Sequence, residues 1–204
     1  MPLKSYMKYM QRNNENEKRN YETRSQLNKK DKLQVTIRDI TLIGVMVAVI
    51  EVCKVTMAVL PNIELTTFWI IMFTLFLGTK SVFAVPVFIL IEGTIWGFGL
   101  WWIMYLYIWP LLSLATWIFR KRDSIWFWCI LSGIFGLTFG LMSAVPYFFI
   151  GFSNGGLRGG LSSAFAYWIA GIPFDMIHGI SNFVLMLVLY KPIRTIMSKA
   201  RNVI

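Results

Sequence analysis

Asp175, His178 and Asn182 fall inside an otherwise apolar stretch, Phe165 to Tyr190. Spacings of three and four place them on one stripe of a helix, continued by Trp168 and Gly171. Ionisable groups at bilayer depth are costly, so they face a protein interior, a water-filled cavity or a ligand. The chemistry open to this stripe is capture of a polar solute, or acid–base work by Asp175 and His178. Glu51, Lys54 and Glu92 are further polar groups within apolar runs. Trp101, Trp102, Tyr105, Tyr107 and Trp109 are crowded into one short segment, with Trp102, Tyr105 and Trp109 on a shared face. Tyr147 adds another ring. Aromatic walls carrying a few placed polar groups suit a pocket for a flat or bulky polar metabolite. Plainer roles stand beside this one: aromatics anchor bilayer edges, Lys54 neutralises Glu51 or Glu92, and a single histidine packs.

The elements that must position these residues are membrane helices. The chain has 204 residues, 56% of them hydrophobic, and a mean hydropathy of +0.59. Apolar runs near the ~20-residue length of a bilayer span recur from Ile40 onward. Six spans are expected: Ile40–Leu60, Leu65–Gly78, Ser81–Phe98 interrupted by Pro86, Leu100–Phe119, Ser124–Phe152 containing Pro146, and a last span ending at Lys191-Pro192. No long segment shows the strict alternation of a β-barrel. The fold class is therefore an all-α integral membrane protein. With both termini in the cytoplasm, eighteen of the twenty Lys and Arg residues lie on the inner side. The positive-inside rule decides for that orientation and for an even number of spans. The net charge of +10 is thus a matter of topology, and no nucleic-acid partner is expected. Residues 1–36 read as a basic, solvated cytoplasmic arm, largely disordered or loosely helical, with adhesion to anionic lipid as the alternative reading; 37–195 read as the membrane domain, and 196–204 as a cytoplasmic tail. No secretory signal fits the first hydrophobic run. Cys53 and Cys129 sit in spans without disulfide or metal spacing.

Three local features refine the site. Pro173 is expected to loosen the last helix just outside Asp175, freeing carbonyls beside a cavity. The glycine-rich stretch around Gly155–Gly160 suits a lid above it. Gly44 and Ala48 make a small-xxx-small pair on the first span that permits close contact with another helix, with Glu51 on nearly the same face. Walker A, HExxH and GxSxG patterns are all missing, and one histidine leaves most zinc and triad chemistry without parts. No catalytic residue, metal or cofactor is expected, and uphill transport would need a partner to supply energy.

Pro61-Asn62-Ile63-Glu64, the run Trp101 to Pro110, and Gly171-Ile172-Pro173-Phe174-Asp175-Met176-Ile177-His178 followed by Ser181-Asn182-Phe183 resemble the substrate-binding S components of energy-coupling factor (ECF) transporters. The resemblance covers residues 37 to 195. It implies a bacterial cell-membrane subunit that binds a vitamin near the outer face without catalytic activity of its own. The family binds its ligand with the outer ends of the fourth to sixth helices and the loop after the first; Asn62, Trp102, Tyr105, Trp109, Tyr147, Trp168, Asp175, His178 and Asn182 on those elements, with Glu92 in the outer half of the third span, are the candidate ligand residues here. It also implies a transmembrane coupling protein and two cytoplasmic ATPases as partners, with Gly44 and Ala48 at the position of the family's coupling-protein motif. Cobalamin or another B vitamin is the implied ligand class. Counting Lys54 against Glu92 and Asp175 leaves a slightly acidic pocket, which argues against a strongly anionic ligand such as folate.

Two other functions compete. One is a small intramembrane enzyme acting on lipid, with Asp175 and His178 as acid and base. The other is a stand-alone proton-coupled carrier using Glu92 and Asp175.

Overall fold

The computed structural model describes residues 12, 14–15, 17–20 and 36–201. Among them all regular structure is helical. The expected basic arm, 1–36, lies largely outside the described residues, and so does the end of the tail. The chain divides into two compact units, Met1–Ile40 and Thr41–Ile204; the second holds the candidate site.

Helix α1 spans Ile37–Met57. It starts at a capping box in the first unit: the Thr36 hydroxyl accepts the Asp39 N–H at 3.2 Å, and the Asp39 carboxylate accepts the Thr36 N–H at 3.0 Å. Satisfying these amides begins the helix slightly before the expected Ile40. Met46, Val47 and Ile50 form its buried face. Helix α2, Thr66–Leu77, is buried along most of its length from Thr66 to Thr74, as a helix apolar on all sides must be. Gly78 (φ 58°, ψ −124°) turns it directly into α3, Thr79–Trp96, through a conformation that suits glycine. Helix α4, Leu100–Phe119, has the bounds expected from sequence.

The remainder departs from expectation. The expected fifth span is divided into α5 (Ile125–Leu137), α6 (Phe139–Ser143) and the start of α7 (Val145–Arg201), with interruptions at Thr138 and Ala144. Helix α7 is two arms joined by Gly155 and Gly156, whose φ/ψ are not helical. Gly156, at φ 59° and ψ −154°, occupies a region that is essentially glycine-only. The second arm folds back along the first. Its partners run in reverse order: Gly151 meets Gly159, Tyr147 stacks on Tyr167, Gly140 meets Asp175, Gly136 meets Gly179, and Ser132 bonds to Asn182. Arg194 closes the far end on Asp123 at 2.9 Å. This antiparallel helical hairpin is about 50 Å from tip to base at a rise of about 1.5 Å per residue.

The glycine-rich lid is therefore corrected. Only Gly155 and Gly156 leave the helix. Gly159 and Gly160 are helical, and a Cβ on them would meet the Gly151 and Phe148 backbones. They serve close packing rather than looseness. Nor does Pro173 break the helix, which continues through it: proline withdraws one backbone donor, and the packed hairpin holds the rest.

Ile37–Met57, Leu100–Phe119 and the run Phe139–Lys199 are long and apolar enough to cross a membrane; α2 and α5 are apolar but shorter. The second arm of α7 is reversed relative to a water-soluble helix. It buries Asp175, His178 and Asn182 and exposes Phe174, Ile180, Val184 and Val188, the arrangement a hydrocarbon solvent favours.

Candidate functional site

Asp175 reaches the site through a gap made for it. Gly140 on α6 has no side chain, so the Asp175 carboxylate lies against its backbone and accepts the Gly140 N–H at 2.9 Å through Oδ1. A Cβ at Gly140 would overlap the carboxylate. The second oxygen, Oδ2, is buried without a hydrogen-bond partner, and so is the Ser143 hydroxyl one turn along. Both residues line a cavity of about 380 Å³ whose walls also include Asn62, Phe139, Tyr167 and Phe174. Asn62 sits in the connection between α1 and α2 at φ 60°, a left-handed conformation that asparagine tolerates. Its carbonyl accepts the Ser181 hydroxyl at 3.3 Å, which ties the connection to α7.

One turn from Asp175, His178 meets Glu64, a partner that sequence reasoning did not assign to it. The His178 Nε2 lies 3.1 Å from Glu64 Oε1. A carboxylate only accepts, so this nitrogen carries the proton. The same carboxylate accepts the Thr67 N–H at 3.1 and 3.2 Å and the Thr67 hydroxyl at 2.5 Å. Glu64 thereby neutralises the amino terminus of α2, where Leu65 offers no side-chain cap. Burial acts to raise the Glu64 carboxyl, but the hydrogen bond and charge of His178 and the threonine hydroxyls outweigh it and hold the carboxyl below its ordinary value.

A second polar cluster forms where α1, α3 and α4 meet. Lys54 pairs with Glu92, which is fully buried. Its ammonium lies 5.2 Å from the Tyr105 ring and 5.9 Å from the rings of Phe88 and Trp101, close enough for cation–π attraction. Glu51, one turn earlier, has both carboxylate oxygens buried without a partner. This cluster confronts one ammonium with two carboxyl groups.

The residues expected in one pocket are thus distributed. Asn62 and Asp175 share the cavity. Tyr147 stands behind it, stacked on Tyr167 at 3.9 Å. Glu92 and Tyr105 belong to the lysine cluster. The Trp102 indole donates to the Ile89 carbonyl at 2.8 Å, and Trp109 is core, 2% exposed. Trp168 is half-buried beside Phe165. Asn182 is buried, with its amide nitrogen unpartnered and its backbone carbonyl accepting Ser132 at 3.2 Å. A row of rings joins the two clusters: Tyr105 to Trp109 at 5.3 Å, Trp109 to Phe139 at 5.8 Å, and Phe139 to His178 at 4.9 Å. Gly44 and Ala48 lie on the exposed face of α1, and a Cβ at Gly44 would meet nothing within 4 Å. Cys53 and Cys129 are free; Cys53 Sγ accepts the Trp69 indole N–H at 3.1 Å.

Glu64, Gly140, Ser143 and Tyr167 were not singled out for ligand contact from the sequence. The one available signal was the Gly133, Gly136, Gly140 spacing, which puts small residues on one helical face. Among the described residues no group of three or more His, Cys, Asp or Glu side chains is placed to hold a metal ion. A second cavity, about 290 Å³ between α3 and α4, is walled by Val82, Pro86, Pro110, Leu114 and Trp117, with Ser113, whose hydroxyl is buried without a partner, as its one polar side chain.

The chain matches no family model, no curated protein and no solved structure. Fold and site define an all-helical protein, among its described residues, with three helices long and apolar enough to cross a membrane and a buried carboxyl facing a cavity.

Proposed function

We propose that the chain is the substrate-binding S component of an ECF-type importer, capturing a vitamin or related micronutrient and passing it to a coupling protein driven by two ATPases. The observation that carries this reading is the cavity beside Asp175. Its ~380 Å³ falls within the roughly 300–1,000 Å³ of small-molecule sites, and two of the residues lining it, Asp175 and Ser143, carry buried oxygens without a partner. Asn62, in the connection after the first helix, and Asp175, on the last, are both residues that the resemblance assigns to ligand contact.

Six crossings with both termini in the cytoplasm belong to the same proposal. The two arms of the hairpin, each longer than the ~30 Å hydrocarbon core, would supply the last two crossings. The distribution of Lys and Arg sets the orientation. In that arrangement the exposed Gly44–Ala48 face is the surface for the coupling protein, and the exposed apolar residues of α7 face lipid. We read the site as a binding site: His178 is engaged with Glu64, and one Asp175 oxygen is held by the Gly140 N–H while the other has no partner.

The test is native mass spectrometry of the purified protein, followed by titration of whatever it retains. One vitamin-sized molecule per chain, bound more weakly by Asp175→Ala with folding intact, is the expected result. A folded protein that retains nothing and binds no B vitamin or precursor would overturn the reading.

A further inference from the structure

The cavity has a chemistry of its own that narrows its ligand. Asp175 is 7% exposed and Ser143 2%; both residues line the cavity, and each carries a buried oxygen without a hydrogen-bond partner that a small side-chain shift would bring to a ligand. The Gly140 N–H holds one side of the Asp175 carboxyl, so the other side is fixed in direction. A buried oxygen left in this state is costly unless a donor meets it. No lysine or arginine lines the cavity among the described residues, and the nearest imidazole, His178, is engaged with Glu64. An anionic ligand would therefore bury its charge beside a carboxyl group with no cation to receive it. Phe139, Tyr167 and Phe174 supply flat apolar surface, with Tyr167 backed by the Tyr147 ring and Phe139 by His178. Size sets the last limit: about 380 Å³ is at the low end for a small-molecule site, and a corrin macrocycle with its nucleotide loop exceeds it.

We propose, resting on the solute-binding reading above, that this cavity selects a compact planar heterocycle bearing N–H donors or a positive charge, and discriminates against carboxylate-bearing and corrinoid solutes. An amino or ammonium group meets Asp175 Oδ2, a second polar atom meets the Ser143 hydroxyl, and the ring lies against Tyr167 and Phe139. Charge-assisted donation to Asp175 supplies most of the discrimination.

The experiment has two arms. Native mass spectrometry of the full chain purified from cells that make it reads whether any solute is retained and which. Thermal-shift and calorimetric titration then use thiamine and pyridoxamine as donor-bearing probes, nicotinate and pantothenate as anions, and cyanocobalamin as the corrinoid. Binding confined to donor-bearing probes is expected, weakened about tenfold or more by the near-isosteric Asp175→Asn and several-fold by Ser143→Ala. A retained or tightly bound anion or corrinoid overturns the selectivity and leaves the binding-subunit reading standing. Donor-probe binding unchanged in both variants also overturns it, because the contacts then lie elsewhere. No retained solute and no response to any probe removes the binding reading itself.

Discussion

Replacing Glu64 by glutamine keeps the shape of the side chain and removes its charge, which isolates what that charge does. In the folded protein the carboxylate accepts from His178 at 3.1 Å and from Thr67 N–H and hydroxyl at the start of α2. The side chain is 18% exposed, so solvent screens these interactions only slightly. A hydrogen bond to a charged group contributes ~1.5–3 kcal/mol against ~0.5–1.5 for a neutral one, and charge at a helix amino terminus adds ~0.3–1. Losing the charged character of two bonds and the helix-end term comes to about 2–4 kcal/mol. At ~2–4 °C per kcal/mol for a chain of this size, the melting temperature falls by roughly 5–15 °C. The pH dependence gives the sharper test. Because folding lowers the Glu64 carboxyl, its contribution is complete above the unfolded value of about 4.3 and is lost as pH falls through the lower folded value. Unfolding of both proteins in detergent, followed by the fluorescence of the nine tryptophans, should show a constant gap near neutral pH that closes in acid. Equal melting temperatures at pH 7, or a gap that persists undiminished in acid, would refute the reasoning. A double-mutant cycle with His178→Gln should return a coupling of about 0.5 kcal/mol or more.

Three further outcomes follow from the packing. Gly140→Ala pushes a methyl group into the Asp175 carboxyl; it should weaken retention of the bound solute more than tenfold while lowering stability by only ~1–3 kcal/mol, read by titration and thermal melting on the same preparation. Gly136→Val drives side-chain atoms into Gly179, whose N and Cα stand 2.8 Å from an ideal Cβ. Separation of α5 from α7 should cost at least ~1–3 kcal/mol, and Gly136→Ala less, as a graded series in melting temperature. Lys54→Met strands the fully buried Glu92 and should destabilise by ~3–5 kcal/mol, whereas the double variant Lys54→Met/Glu92→Met should recover much of the loss; a double variant no better than the single one counts against the pairing.

Hydropathy and spacing alone delimited the first four helices, because the free energy of placing apolar residues is local to each segment. The bounds of α4 were legible to the residue, and those of α2 and α3 nearly so, since Pro61-Asn62, Gly78 and the Gly97–Gly99 stretch punctuate the apolar runs between them. The inward stripe of Asp175, His178 and Asn182 was also legible: a polar group in an apolar helix can be accommodated on only one face, and spacing reveals which. Partners were beyond reach of the same logic. That His178 meets Glu64, more than a hundred residues away, depends on where the α1–α2 connection docks on α7. Trp102 and Trp109 share a helical face with Tyr105, yet the neighbours of that face, Ile89 on α3 and the rings of Phe135 and Phe139, turned them into core. The glycines carried the greatest ambiguity. A residue without a side chain reads alike in sequence whether it frees the backbone, as at Gly156, or admits a neighbour, as at Gly140 and Gly159, because the difference lies wholly in what stands opposite. Local chemistry chose the helices and their buried stripe; contact between distant segments chose which polar groups are satisfied, which are left without a partner, and where the cavity beside them lies.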